Sequence, residues 1–190
     1  MKKHVITALA LAFSMFSFAQ KKELKTVEKA IKSNNFSEAK SVLNQVEPML
    51  SSMDNKTKDK FYFLKGQAFY ANGTGSDVDV DMAIESFDNV KTAYRDEVDD
   101  MKQNMINSIL SKSNDLYQSG NFIKAGSGFE KLYKLMPSDT TYLYYAAASS
   151  VNAKDYDTAL IHYLKLNEMG YTGITKEYYA ISKATNQEEI

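Results

Sequence analysis

The sequence has no cysteine and no tryptophan. Without thiols there are no disulfides, thiolate nucleophiles, iron–sulfur clusters or cysteine zinc sites. A bacterial lipid anchor, which needs an acylated cysteine, is excluded with them. Arginine is nearly absent: Arg95 stands alone among 23 basic side chains. Bidentate clamps on phosphate or carboxylate need the planar guanidinium, so they have almost nothing to be built from. Net charge is scarce as well. With 24 acidic residues the formal charge is −1 and the pI is about 6.1, which leaves no basic field to hold nucleic acid. The only histidines are His4 and His162.

What is present begins with a leader-like segment. Met1-Lys2-Lys3-His4 is a short basic start, followed by the 14-residue apolar run Val5–Phe18, interrupted only by Thr7, Ser14 and Ser17. Ser17 and Ala19 then place small residues before Gln20. This order reads as a secretory signal peptide over 1–19, with the mature chain starting at Gln20. The run is shorter than the roughly 20 apolar residues needed to cross a bilayer. It is apolar on all sides, unlike an amphipathic first helix. The expectation is an exported protein, periplasmic or secreted, with no membrane span in its mature part. Export removes His4, so a site built on paired histidines is not expected.

The 190 residues suit one domain or one short repeat array. Gly120 to Leu132 aligns without gaps on Lys154 to Leu166. Phe122/Tyr156, Ala125/Ala159, Phe129/Tyr163 and Leu132/Leu166 each lie 34 residues apart. The pattern recurs upstream in Phe36, Ala39, Leu43 and Val46, and again in Ala83, Phe87 and Val90. Steps between the alanines are 44, 42 and 34 residues, so two connections carry insertions. Apolar residues spaced i, i+3, i+4 and i+7 mark amphipathic helices. Alanine lets neighbouring helices approach, and the aromatics fill the adjacent gaps. Gly73, Gly120 and Gly170 suit helix ends. Pro137 follows a helix, where its missing N–H does no harm.

With these residues in place, the chain resembles a tetratricopeptide repeat array. The third repeat carries Gly120, Phe122, Ala125, Phe129, Leu132 and Pro137 in the matching places; the second carries Tyr62, Gly66, Phe69, Ala83 and Phe87. The fourth carries Leu143, Ala147, Ala159 and Tyr163; the first carries Val27, Ala30, Phe36, Ala39 and Leu43. The expected fold is all-α, a tetratricopeptide-type solenoid of about four helical hairpins over 20–170, with repeats near 21–50, 54–94, 97–137 and 138–170. Eight helices are expected at about 21–34, 36–50, 54–72, 79–94, 97–119, 122–136, 138–153 and 155–169. The tail 171–190 reads as a truncated hairpin, with arms at 177–182 and 188–190; a helix is the alternative.

Several segments invite a chemical reading. Asp77, Asp79 and Asp81, with Asp88 at position 12, resemble a calcium loop, but position 6 is Met82 where the turn needs glycine. A solvated loop whose last aspartate caps the next helix is the simpler reading. Asp96, Glu97, Asp99 and Asp100 crowd a helix start, which fits the helix dipole better than a catalytic pair. Gly73-Thr74-Gly75-Ser76 and Gly126-Ser127-Gly128 match no phosphate-binding motif. The second suits close helix packing. His162 is expected to be partly exposed. No metal, cofactor or catalysis is expected.

The resemblance implies a function. In this family some first-helix positions point into a concave groove that binds peptides. By register these positions are Phe63, Gln67 and Tyr70, then Asn107, Leu110, Asn114 and Tyr117, then Thr141, Tyr144, Val151 and Asn152. Asn and Gln amides can pair with a peptide backbone, and Tyr gives rigid contact area. The family's cationic carboxylate clamp is not reproduced, Lys60 being the only cation at these positions in the second repeat. The expected function is an exported scaffold for a protein or peptide partner. The alternative is an N-terminal structural module of a longer exported protein, with its groove masked by its own chain. No capping helix is evident after Gly170, so self-association through the last repeat is a further expectation, unless the tail folds back through Tyr178, Tyr179 and Ile181.

Overall fold

The computed structural model describes residues 20–173 and the backbone of 180–181 and 188–189. The expected signal peptide, and Tyr178 and Tyr179 of the tail, lie outside these residues. The fold is all-α, with eight helices among the described residues. They are α1 (20–32), α2 (Phe36–Val46), α3 (Asn55–Tyr70), α4 (Asp77–Asp88), α5 (Arg95–Gln118), α6 (Phe122–Leu135), α7 (Thr140–Asn152) and α8 (Tyr156–Glu168). Beyond them, Ala180 and Ile181 pair antiparallel with Glu189 and Glu188, the arms of the expected hairpin. Two compact units divide within α5, between Lys112 and Ser113.

Side chains set the helix starts. Asn35 accepts from the Glu38 amide at 3.2 Å and Asp54 from the Thr57 amide at 2.7 Å. Ser76 and Asp79 form a reciprocal capping box. Asp139 and Asp155 accept from the amides of Thr141 and Thr158. Each such cap stabilises by about 1 kcal/mol. Where a turn needs left-handed backbone, Gly73, Gly120 and Gly170 supply it, with φ of 85°, 80° and 73°.

In the first unit, Leu24, Val27, Leu43, Val46, Phe61 and Leu64 form one buried cluster from α1, α2 and α3. A buried side chain of the size of Phe61 contributes about 1.5–3 kcal/mol. Gly66 on α3 is required because the Phe87 ring of α4 lies where a Cβ would be. Lys40 reaches from α2 to Asp79 on α4 at 2.7 Å and lies over the Phe69 ring.

In the second unit, α7 packs between α6 and α8. It does so through small residues, with Ala146, Ala147, Ser149 and Ser150 all buried. Gly126 faces them: a Cβ there would sit 3.3 Å from that of Ser149, which is the close packing expected of Gly126-Ser127-Gly128. Beyond α8, the turn at Gly170 brings Tyr171 back onto a cluster of Tyr133, Leu143 and Leu166.

The structure corrects several expectations. The second helix does not run to residue 50. It yields to a 3-10 turn at Glu47–Ser52, which Pro48 enters at its first residues. A proline ring cannot continue an α-helical hydrogen-bond ladder. Asp77, Asp79 and Asp81 are not a loop but the opening turns of α4, capped by Ser76. This helix ends at Asp88 rather than residue 94. The segment beyond it is fixed from α3: buried Asp59 accepts from the amides of Lys91, Thr92 and Ala93 and from the Thr92 hydroxyl, at 2.7–2.9 Å. The next residue, Tyr94, is held at φ 63°, a conformation costing of order 1–3 kcal/mol in a residue with a Cβ. His162 is not partly exposed. It is 8% accessible, and its Nδ1 finds no partner among the described residues.

Candidate functional site

The expected groove positions fall into three settings. On α3 of the first unit, Phe63 stacks on Tyr94 with ring centroids 5.1 Å apart and also meets Phe87 at 6.4 Å. Tyr70 is buried and Gln67 half-buried. These three belong more to packing than to an open surface. On α5, Asn107 is exposed and takes a hydrogen bond from Gln103 at 3.2 Å, while Leu110 is half-buried.

The second unit places its expected residues together. Helix α7 buries Leu143, Ala146, Ala147 and Ser150, so the opposite face carries Thr141, Tyr144, Tyr145, Val151 and Asn152. All five are exposed. The Asn152 amide donates to the Tyr117 hydroxyl at the end of α5, at 2.8 Å. Asn114, also on the end of α5, is exposed.

The aromatic rings are continuous across this surface. Tyr117 meets Phe122 at 5.2 Å and Phe129 at 6.5 Å; Phe129 meets Tyr145 at 5.4 Å. Tyr145 meets Tyr144 at 5.9 Å, and Tyr144 meets Tyr163 at 6.4 Å and Tyr171 at 5.9 Å. Rings at 4.5–7 Å and tilted or edge-on contribute about 0.5–1.5 kcal/mol per pair beyond burial. The tyrosines are therefore held by one another while one side stays open to water. Burial, then the neighbouring Tyr144 and Tyr171, raises the Tyr163 hydroxyl above its ordinary value. It stays a neutral donor and acceptor at physiological pH.

This surface is suited to non-covalent recognition. Tyrosine offers an apolar ring and a polar tip with only two side-chain rotors to immobilise, and asparagine can pair with both peptide groups. Of the residues on this surface, sequence register named Tyr144 and Asn152 and did not name Tyr145, Tyr163 and Tyr171. The spacing of Tyr145 from Thr141 and Asn152 was a usable signal; the return of Tyr171 past Gly170 was not. The acidic residues Asp96, Glu97, Asp99 and Asp100 are all exposed on the start of α5. Among the described residues no group of three or more His, Asp or Glu could hold a metal ion, and no helix is long and apolar enough to cross a membrane. Comparison with protein-family models, with curated proteins and with solved structures returned no match.

Proposed function

We propose that this chain is an exported tetratricopeptide-type scaffold that binds a protein or peptide partner and does no chemistry of its own. The observation that carries the reading is the open tyrosine surface of the second unit. Four of its rings, Tyr117, Tyr144, Tyr145 and Tyr163, are each at least 36% accessible while packed ring against ring, and Asn152 braces Tyr117. A peptide laid across α7 would find aromatic walls and amide groups already positioned, which lowers the ordering cost of binding. Binding from a peptide array tests this. Tyr144→Ala with Asn152→Ala should lower the melting temperature, through three lost ring pairs and one lost hydrogen bond. Measured where the variant is still fully folded by circular dichroism, the change should weaken every peptide that the wild type binds by about tenfold or more. Unchanged peptide binding by the double variant would sink the proposal.

The alternative reading, a structural module with its groove masked by its own chain, draws support from the first unit, where Phe63 and Tyr70 are packed under Tyr94 and Phe87 or buried. Self-association through the last repeat draws support from α8. Tyr156, Leu160, Ile161 and Leu164 are exposed there, and Tyr156, Leu160 and Leu164 recur at the spacing of one helical face. A second copy of this chain is the occupant proposed for that face.

A further inference from the structure

Basic residues cluster at one place in the first unit. Lys21, Lys22 and Lys25 on α1 and Lys56 and Lys60 on α3 line a cleft of about 690 Å³, floored by Leu24 and walled by Tyr94. That volume is in the range of pockets for small molecules. Only part of the charge is neutralised within the protein. Lys60 pairs with Glu28 at 2.8 Å, whereas Lys22, Lys25 and Lys56 make no ion pair among the described residues. One acid, Asp54, lines the cleft as well; both its oxygens accept from Thr57, and its charge acts on Lys21. The other acid of this stretch, Asp59, is buried and saturated by the 91–93 backbone. With five lysines against the one lining carboxylate, the cleft lining is net positive and concentrates anions.

The wall is also fixed in advance. Asp59 holds the three residues before Tyr94, and the Tyr94 ring stacks on Phe63 at an interplanar angle of 14°. A tyrosine is kept in left-handed backbone only where its surroundings dictate it, and such positions collect at ligand clamps. One side of the cleft is thus cationic and the other is a rigid aromatic wall.

We propose that this cleft binds a small amphiphile: an anionic head, carboxylate or phosphate, held by Lys22, Lys25 and Lys56, with its apolar body against Tyr94 and the aliphatic stems of the lysines. The proposal is independent of the tyrosine surface in the second unit. Titrations of the protein with octanoate, acetate and 1-octanol, followed by backbone amide shifts, separate the contributions of head and body. Octanoate should shift the Leu24 and Tyr94 amides and bind at least about tenfold more tightly than acetate or octanol. Its affinity should fall as salt is added. Lys25→Gln with Lys56→Gln should weaken octanoate about tenfold and leave octanol unchanged. Both lysines are exposed, so unaltered helicity by circular dichroism is expected for this variant. Octyl phosphate in place of octanoate distinguishes the two heads, and tighter binding of either supports the site. Octanoate binding no tighter than acetate or octanol, or unaffected by the double substitution, would overturn the proposal. So would binding to phosphatidylglycerol vesicles without binding to octanoate or octyl phosphate, which would make the lysines a membrane-surface patch.

Discussion

Phe129 on α6 is 3% accessible, whereas Tyr163, its counterpart 34 residues on in α8, is 38% accessible. Inner positions do not differ in this way: Ala125 and Ala159, and Leu132 and Leu166, are all buried. The difference lies in neighbours. Helix α6 meets α7 on one side and the Tyr117 ring from the end of α5 on the other, while among the described residues α8 meets α7, the Tyr133 ring of α6 through Lys165, and the returning Tyr171. Three positions that α8 exposes are filled differently in α6, where they are buried or half-buried. Gly126, Ser127 and Glu130 of α6 become Leu160, Ile161 and Leu164 of α8. A repeat pattern therefore specifies which face can be buried, and the next element in space decides whether it is.

The largest expected effect separates the two helices by truncation. Phe129→Ala should cost about 3–5 kcal/mol, the range for a buried ring, and Tyr163→Ala about 1 kcal/mol or less. Urea midpoints give both, and equal costs would break the comparison. Asp59 sharpens it from the other unit. Burial raises its carboxyl, but hydrogen bonds from Lys91, Ala93 and Thr92 outweigh burial and hold it below the ordinary 3.8. A depressed carboxyl stabilises fully above the unfolded value and loses that stabilisation as pH falls below 3.8 toward the folded one. Asp59→Asn should cost about 1–3 kcal/mol at neutral pH and flatten the acid dependence in that window. It should leave the order of Phe129 and Tyr163 unchanged, as substitutions that share no partner add.

Overpacking gives a smaller contrast. Ala125→Leu should destabilise by about 1–3 kcal/mol, and Ala159→Leu by less, because α8 can move outward where α6 cannot. His162 on α8 occupies the place of Gly128 on α6. Its buried, unpartnered Nδ1 should make His162→Leu stabilising by about 1 kcal/mol. A loss of stability would mean that the imidazole has a partner in solution. The smallest effect on folding is expected from Leu160→Glu with Leu164→Lys, within about 0.5 kcal/mol of wild type. This pair should nevertheless abolish any concentration-dependent light scattering, and persistent association would place the contact elsewhere.

The helices were legible because their signals are local. Asn35, Asp54, Ser76, Asp139 and Asp155 each cap the helix after them. The alanines and aromatics of the repeat mark which face turns inward. What was not legible depends on residues far apart in sequence. Residues 89–94 read as helix because nothing local indicates that Asp59 will take their amides. The lysine cleft requires 21–25 and 56–60 to converge. Of the groove positions given by register, Tyr144, Val151 and Asn152 are exposed. Register could not foresee that Tyr94 would cover Phe63, because that depends on a left-handed residue held by a distant carboxylate.

The central claim is that the tyrosine face of α7 captures a partner, and it can be tested without knowing that partner. A photo-crosslinking amino acid placed at Tyr145, and in parallel at exposed Lys124 on α6, would be activated in the cells that make the protein. A discrete higher-mass adduct is expected from position 145 and none from position 124. No adduct from position 145, or the same adduct from both positions, would contradict the claim.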